Sequence, residues 1–178
     1  MSQTTLDIKE PGLNVLPPGV ERHIVNAGGL TGLQIFPDDE IEIINEEGNQ
    51  ICEIICFDKD GKSELGILNQ KENCKKSFIK ELLKGKDESS LITNLQLKKR
   101  NLDINKSKSS ILFDEQTPSG EKIKIKSKDK CYAIFAAPQN NMLVSEQNPS
   151  SDLTLFIKRY KIVNDKELSI IPDPIYLS

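Results

Sequence analysis

Glu53 is the residue whose setting most invites a chemical reading, because it lies inside Gln50-Ile-Cys-Glu-Ile-Ile-Cys-Phe57, an otherwise apolar, strand-like run. An ionised carboxylate buried without partners costs several kcal/mol, so Glu53 must be protonated, hydrogen-bonded, bound to a cation, or open to a cavity that a ligand can enter. One reading places Glu53 and Gln50 in a small polar pocket for a cationic amine or a urea-like molecule, with Cys52 and Cys131 nearby and Asn140 and Met142 at its mouth. The other makes Glu53 a rim carboxylate paired with a lysine. The four cysteines carry no metal-ligand spacing. Cys52 and Cys56 stand about 13 Å apart on a flat strand, whereas both sulfurs of a zinc site lie about 2.3 Å from one ion. His23, the single histidine, has no companion that would activate a thiol, and small buried thiols fill a β core well. Gly28-Gly29 lacks the strand, glycine loop and helix order of a phosphate loop. The expectation is therefore no metal and no cofactor in this chain, with catalytic residues unassigned.

The elements that must position these residues are mostly strands. Residues 22–26, 31–36, 40–44 and 50–57 read as four short strands separated by Ala27-Gly-Gly29, Pro37-Asp-Asp39 and a turn over 45–50 containing Gly48. That spacing predicts a β meander in which the third and fourth strands form a hairpin. Ile51, Glu53, Ile55 and Phe57 share one face of the fourth strand, and Cys52, Ile54 and Cys56 the other. Further strands are expected at 110–113, at 121–127 with Lys/Ile alternation that leaves one side to solvent, at 131–137 with both faces apolar, and at 152–160 and 167–171. Phe78, Ile79, Leu82 and Leu83 recur at helical spacing, predicting a helix over 72–84 ended by a left-handed Gly85. A weaker helix is expected over 87–97, then a polar loop over 98–110. The fold class is thus mainly β, a barrel-like or sandwich domain with a one- or two-helix insertion.

The 178 residues suit one domain with a modest core: aromatics are 5% and tryptophan is absent. An extended arm is expected over 1–19, one domain over 20–171 and a linker over 172–178, where Pro172-Asp-Pro174 forbids further pairing. Net charge is −3, acidic in the first 70 residues and basic over 71–108. That basic stretch has one Phe and no interleaved aromatics, which fits a solvated helix face rather than a nucleic-acid surface. With no secretory signal, presequence or long apolar run, the expected location is cytoplasmic, with no membrane partner and reduced thiols.

The run from Asp38-Asp39 through Glu47-Gly48-Asn-Gln50-Ile-Cys-Glu53 to Phe57 resembles the core of the urea-carboxylase-associated family, with Glu53 where that family carries Asp. Leu112-Phe-Asp-Glu-Gln-Thr-Pro-Ser-Gly120, Phe135-Ala-Ala-Pro138 with Met142, 151–159 and Ile171-Pro-Asp-Pro174 are similar to a branch found ahead of aminomethyltransferases like the glycine-cleavage T protein. This resemblance implies an accessory, non-catalytic β domain in one-carbon or methylamine metabolism. Its partner would be an aminomethyltransferase domain or subunit, and any folate would bind there. The alternative it leaves open is a stand-alone enzyme or binding protein for a small urea- or guanidine-like compound. Stand-alone family members carry a downstream His-Asp and a Cys, whereas this chain has no His-Asp and no histidine after His23.

Overall fold

The computed structural model describes residues 16–74, 76–139 and 150–161. Among the described residues eight strands form two antiparallel sheets. They are β1 (Val20–Val25), β2 (Leu30–Ile35), β3 (Glu40–Asn45), β4 (Cys52–Asp58), β5 (Ser109–Phe113), β6 (Glu121–Lys126), β7 (Cys131–Ala136) and β8 (Leu153–Lys158). One sheet has the order β1-β8-β3-β6 and the other β2-β7-β4-β5. Strands pair as a nested ribbon, β1 with β8, β2 with β7, β3 with β6 and β4 with β5, closed by β3 on β8 and β4 on β7. This is the two-sheet jelly-roll arrangement. The strand expected at 167–171, the linker and most of the N-terminal arm lie outside the described residues.

The expected hairpin and meander are not formed. The turn over 45–50 exists, with Gly48 at φ 80° and Asn45 Nδ2 donating to the Gln50 carbonyl at 2.8 Å, yet it carries the chain from one sheet to the other. Turn chemistry fixes where a chain reverses, and the reversal looks the same locally whether the next strand pairs with the last or crosses the core. Gly48 is required there: a Cβ would meet the Ser119 nitrogen at 2.7 Å.

Two cores explain why β4 and β7 are apolar on both faces. Between the sheets pack Leu33, Ile41, Ile43, Ile54, Phe135 and Leu155, among others. On the outer face of the β2-β7-β4-β5 sheet, Leu30, Ile55, Phe57 and Ile134 pack against Ile79, Leu83 and Leu97 of the helical insertion. That insertion joins β4 to β5 at the tip of the ribbon and holds α1 (Phe78–Leu82) and α2 (Glu88–Lys99). By contrast the β6 lysines face solvent while Ile125 turns inward.

The helix expected over 72–84 is shorter because its first residues serve the sheet. Asn73 lies on the free edge of β5, accepting from the Ile111 N–H at 2.7 Å and donating to the Ile111 carbonyl at 3.2 Å, and Cys74 bridges to Ser109. Such pairing covers an edge strand. Ser77 then caps α1, its hydroxyl accepting from Lys80 N at 3.2 Å. Gly85 is not left-handed; α1 ends in tight turns, Lys84 N to Glu81 O and Gly85 N to Leu82 O. The helix expected over 87–97 extends to Lys99.

Candidate functional site

Glu53 sits on β4 with Ile55 and Phe57, facing the helical insertion and fully buried. Its carboxylate accepts three hydrogen bonds, from Ser77 Oγ at 2.6 Å, Phe78 N at 2.7 Å and Ile79 N at 3.0 Å. A helix start leaves its first N–H groups without intrahelical partners, and here a strand carboxylate takes two of them. Beside Glu53 the β4–β5 register slips by one residue, the kind of irregularity that re-aims a side chain. The protein partner of the carboxylate is thus a helix start, not a lysine.

Gln50 is equally committed. Its Nε2 donates to the Pro138 carbonyl at 2.8 Å and the Ile51 carbonyl at 2.9 Å, and its Oε1 accepts from Ser151 N at 2.8 Å. One buried amide therefore holds the two ends of the 139–150 connection against the start of β4. Cys52 points into the inter-sheet core, opposite to Glu53, and burial next to that carboxylate pushes its thiol well up. Cys131 lies in the same core with Cys56. Cys131 also borders a cleft of about 290 Å³ shared with Asp58, Lys130 and Arg100. Asn140 and Met142 lie outside the described residues. The structure therefore groups Gln50, Cys52 and Glu53 at the start of β4 and places Cys131 at the far end of that strand, opposite Asp58. Cys52 and Cys131 share the inter-sheet core, whereas Glu53 faces the helical insertion and Gln50 the 139–150 connection.

Three features carry more polar organisation than the sequence reading assigned. Arg159, 7% exposed, donates through Nε and Nη2 to both oxygens of Glu21 (2.8 and 3.0 Å) and through Nη1 to Asp39 Oδ2 (2.7 Å) and the Gln34 carbonyl (2.9 Å). Burial opposes ionisation of Glu21, yet the bonds and charges of His23 and Arg159 hold its carboxyl at about 2. Second, Asp152 accepts from Ala27 N at 2.8 Å, tying the start of β8 to the β1–β2 turn. Third, a cleft of about 680 Å³ opens between the β1–β2 turn and α2, with His23, Thr31 and Gly32 on one side, Thr93 on the other and Tyr132 at its floor. Tyr132 and Thr93 carried no sequence signal, since each sits in a run that reads as ordinary strand or helix.

Fold and site define a jelly-roll domain whose buried polar residues tie strands, turns and helix ends together. Over 168 residues, 94% of this chain, it is 31% identical to the trimethylamine-oxide aldolase of Ruegeria pomeroyi (strain ATCC 700808 / DSM 15171 / DSS-3). The match takes in 21% of that relative, so the chain spans about a fifth of its length. Among solved structures, a DUF1989 family protein from Silicibacter pomeroyi DSS-3 aligns over 87% of this chain and 82% of its own, at 10% identity and a TM-score of 0.46, too slight a likeness to carry argument. No protein-family model matches the chain. Neither relative is described as urea-carboxylase-associated or as an aminomethyltransferase. Among the described residues no helix is long and apolar enough to cross a membrane.

Proposed function

We propose that this jelly roll is an accessory, non-catalytic domain of methylamine metabolism, working with a larger catalytic partner of the trimethylamine-oxide aldolase type. The observation that carries the reading is the extent of the match: nearly all of this chain against a fifth of that enzyme. The geometry agrees with it. Glu53 and Gln50, the residues best suited by sequence to acid–base or binding work, hydrogen-bond to the strand, helix start and loop ends of the fold itself. Cys52 and Cys56 are buried thiols pushed well above their ordinary range, a poor setting for a nucleophile.

In its finer form the reading makes the partner an aminomethyltransferase domain or subunit, with folate bound there and not in this chain. The purified chain should then leave trimethylamine N-oxide unconsumed, and folate should not raise its melting temperature, because a ligand that binds the folded state stabilises it by mass action. Consumption of trimethylamine N-oxide by the chain alone would overturn the accessory reading. A folate-dependent rise in melting temperature would overturn only the placement of folate.

A further inference from the structure

α2 packs with its polar side inward. Ser90, Thr93 and Gln96 are buried beside Leu97, whereas Leu91 and Leu95 are 56% and 42% exposed. Ser90 is satisfied, its hydroxyl lying 2.7 Å from both the Leu82 carbonyl and Asp87 Oδ1, which share its one proton. Gln96 is not: neither its Oε1 nor its Nε2 has a partner among the described residues. Each such buried polar group left unpaired costs about 1–3 kcal/mol, and a helix needed only to cover a sheet would have turned its leucines inward.

The same interface holds Tyr132, 4% exposed, which reaches from β7 across β2 to the floor of the 680 Å³ cleft. No hydrogen bond to its hydroxyl is formed among the described residues, and the same is true of Thr93, 3% exposed, on the facing wall. Gly32 makes this position possible, since a Cβ there would lie 2.0 Å from the tyrosine hydroxyl. Gly29 similarly admits the α2 N-terminus, a Cβ there meeting Ser89 Oγ at 3.2 Å. The cleft falls within the usual volume of small-molecule sites, and its floor is neutral while Arg22, Asp87 and Glu88 stand exposed at the rim. A ligand group carrying full charge would find no counter-charge at that depth. Burial pushes the Tyr132 phenol up to about 12, against the opposing charge of Arg100, whose guanidinium carbon lies 4.5 Å from the ring centroid on the side of the smaller cleft. Tyr132 is therefore a hydrogen-bond donor throughout the physiological range.

We infer that the cleft between the β1–β2 turn and α2 binds a small uncharged amide, its carbonyl accepting from the Tyr132 hydroxyl and its N–H donating to Thr93. The cleft above the Tyr132 hydroxyl, with Ile24, Leu30 and Ile92 among its walls, suits a small group with a donor and an acceptor. This site does not depend on the accessory-domain reading, because it is read out by binding and not by turnover.

The test is a titration of the isotopically labelled full chain with acetamide and N-methylacetamide, followed through the backbone amide signals. Glycerol, acetate and tetramethylammonium serve as comparison probes. The expected result is saturable shifts at Gly29, Gly32 and Thr93 with the two amides alone, weakened about tenfold by Tyr132→Phe, as loss of one hydrogen bond predicts. Thr93→Val, isosteric and on the other wall, should weaken binding of both amides as well, and it decides the matter if Tyr132→Phe fails to fold. Absence of saturable shifts, equal or stronger response to glycerol or a charged probe, or unchanged binding in the folded variants would overturn the inference.

Discussion

Replacing Glu53 by glutamine should destabilise the domain without unfolding it, and the size of the loss follows from three hydrogen bonds. The carboxylate accepts from Ser77 Oγ, Phe78 N and Ile79 N at 2.6–3.0 Å. Hydrogen bonds to a charged group contribute about 1.5–3 kcal/mol and neutral ones about 0.5–1.5. Glutamine keeps one carbonyl oxygen for the two main-chain donors but turns an amino group toward Ser77, which must reorient its hydroxyl. The expected cost is about 1–3 kcal/mol, whereas Glu53→Ala, which strands all three donors in a buried site, should cost about 3–5. In a domain of this size each kcal/mol lowers the melting temperature by about 2–4 °C. Urea unfolding gives the energies, and hydrogen exchange at Phe78 and Ile79 locates them, since those amides should lose protection first. A double-mutant cycle with Ser77→Ala should return a coupling of about 1 kcal/mol. If both Glu53 variants unfold within about 0.5 kcal/mol of the parent, with the two amides still protected, the carboxylate does not anchor α1 and the argument fails.

Further expectations concern the ion-pair cluster and the thiols. Arg159→Met should cost about 3–5 kcal/mol in urea unfolding, because it leaves Asp39, 1% exposed, without its cation; a loss under about 1 kcal/mol would show the cluster to be incidental. Because Glu21 falls from an ordinary 4.5 to about 2 in the folded chain, its contribution is fully present above pH 4.5 and is lost as pH falls through about 2. Parent stability should accordingly drop more steeply over that window than that of Glu21→Gln, and parallel curves would count against the pairing. Alkylation of the native protein should mark Cys74, the one half-buried thiol, well before buried Cys52, Cys56 and Cys131, as mass spectrometry of timed samples would show; early labelling of Cys52 would contradict its place in the core.

The strands were legible because their signals are local. Alternation in 121–126 and the doubly apolar runs around Ile54 and Ile134 gave eight strands nearly at their observed bounds, and the two faces of β4 were assigned correctly. Pairing was not legible: β1 finds β8 across more than a hundred residues, and no local pattern distinguishes a hairpin from a crossing between sheets. The stronger helix signal, at 78–83, yielded the shorter helix, because Asn73 and Cys74 are claimed by the edge of β5 and Ser77 caps what remains. α2 was hard to read for the opposite reason, since it buries Ser90, Thr93 and Gln96 and exposes leucines. At the candidate site, composition showed that Glu53 needs a partner but could not name it, as a helix N-terminus 24 residues downstream leaves no mark in the strand.

The accessory-domain account is tested most directly in the Ruegeria pomeroyi enzyme, by deleting the segment that matches this chain and then grafting this chain in its place. Trimethylamine N-oxide consumption per mole of folded enzyme should fall on deletion and return on grafting, while the chain alone consumes none. Full activity of the deleted enzyme, or turnover by the isolated chain, would contradict the account.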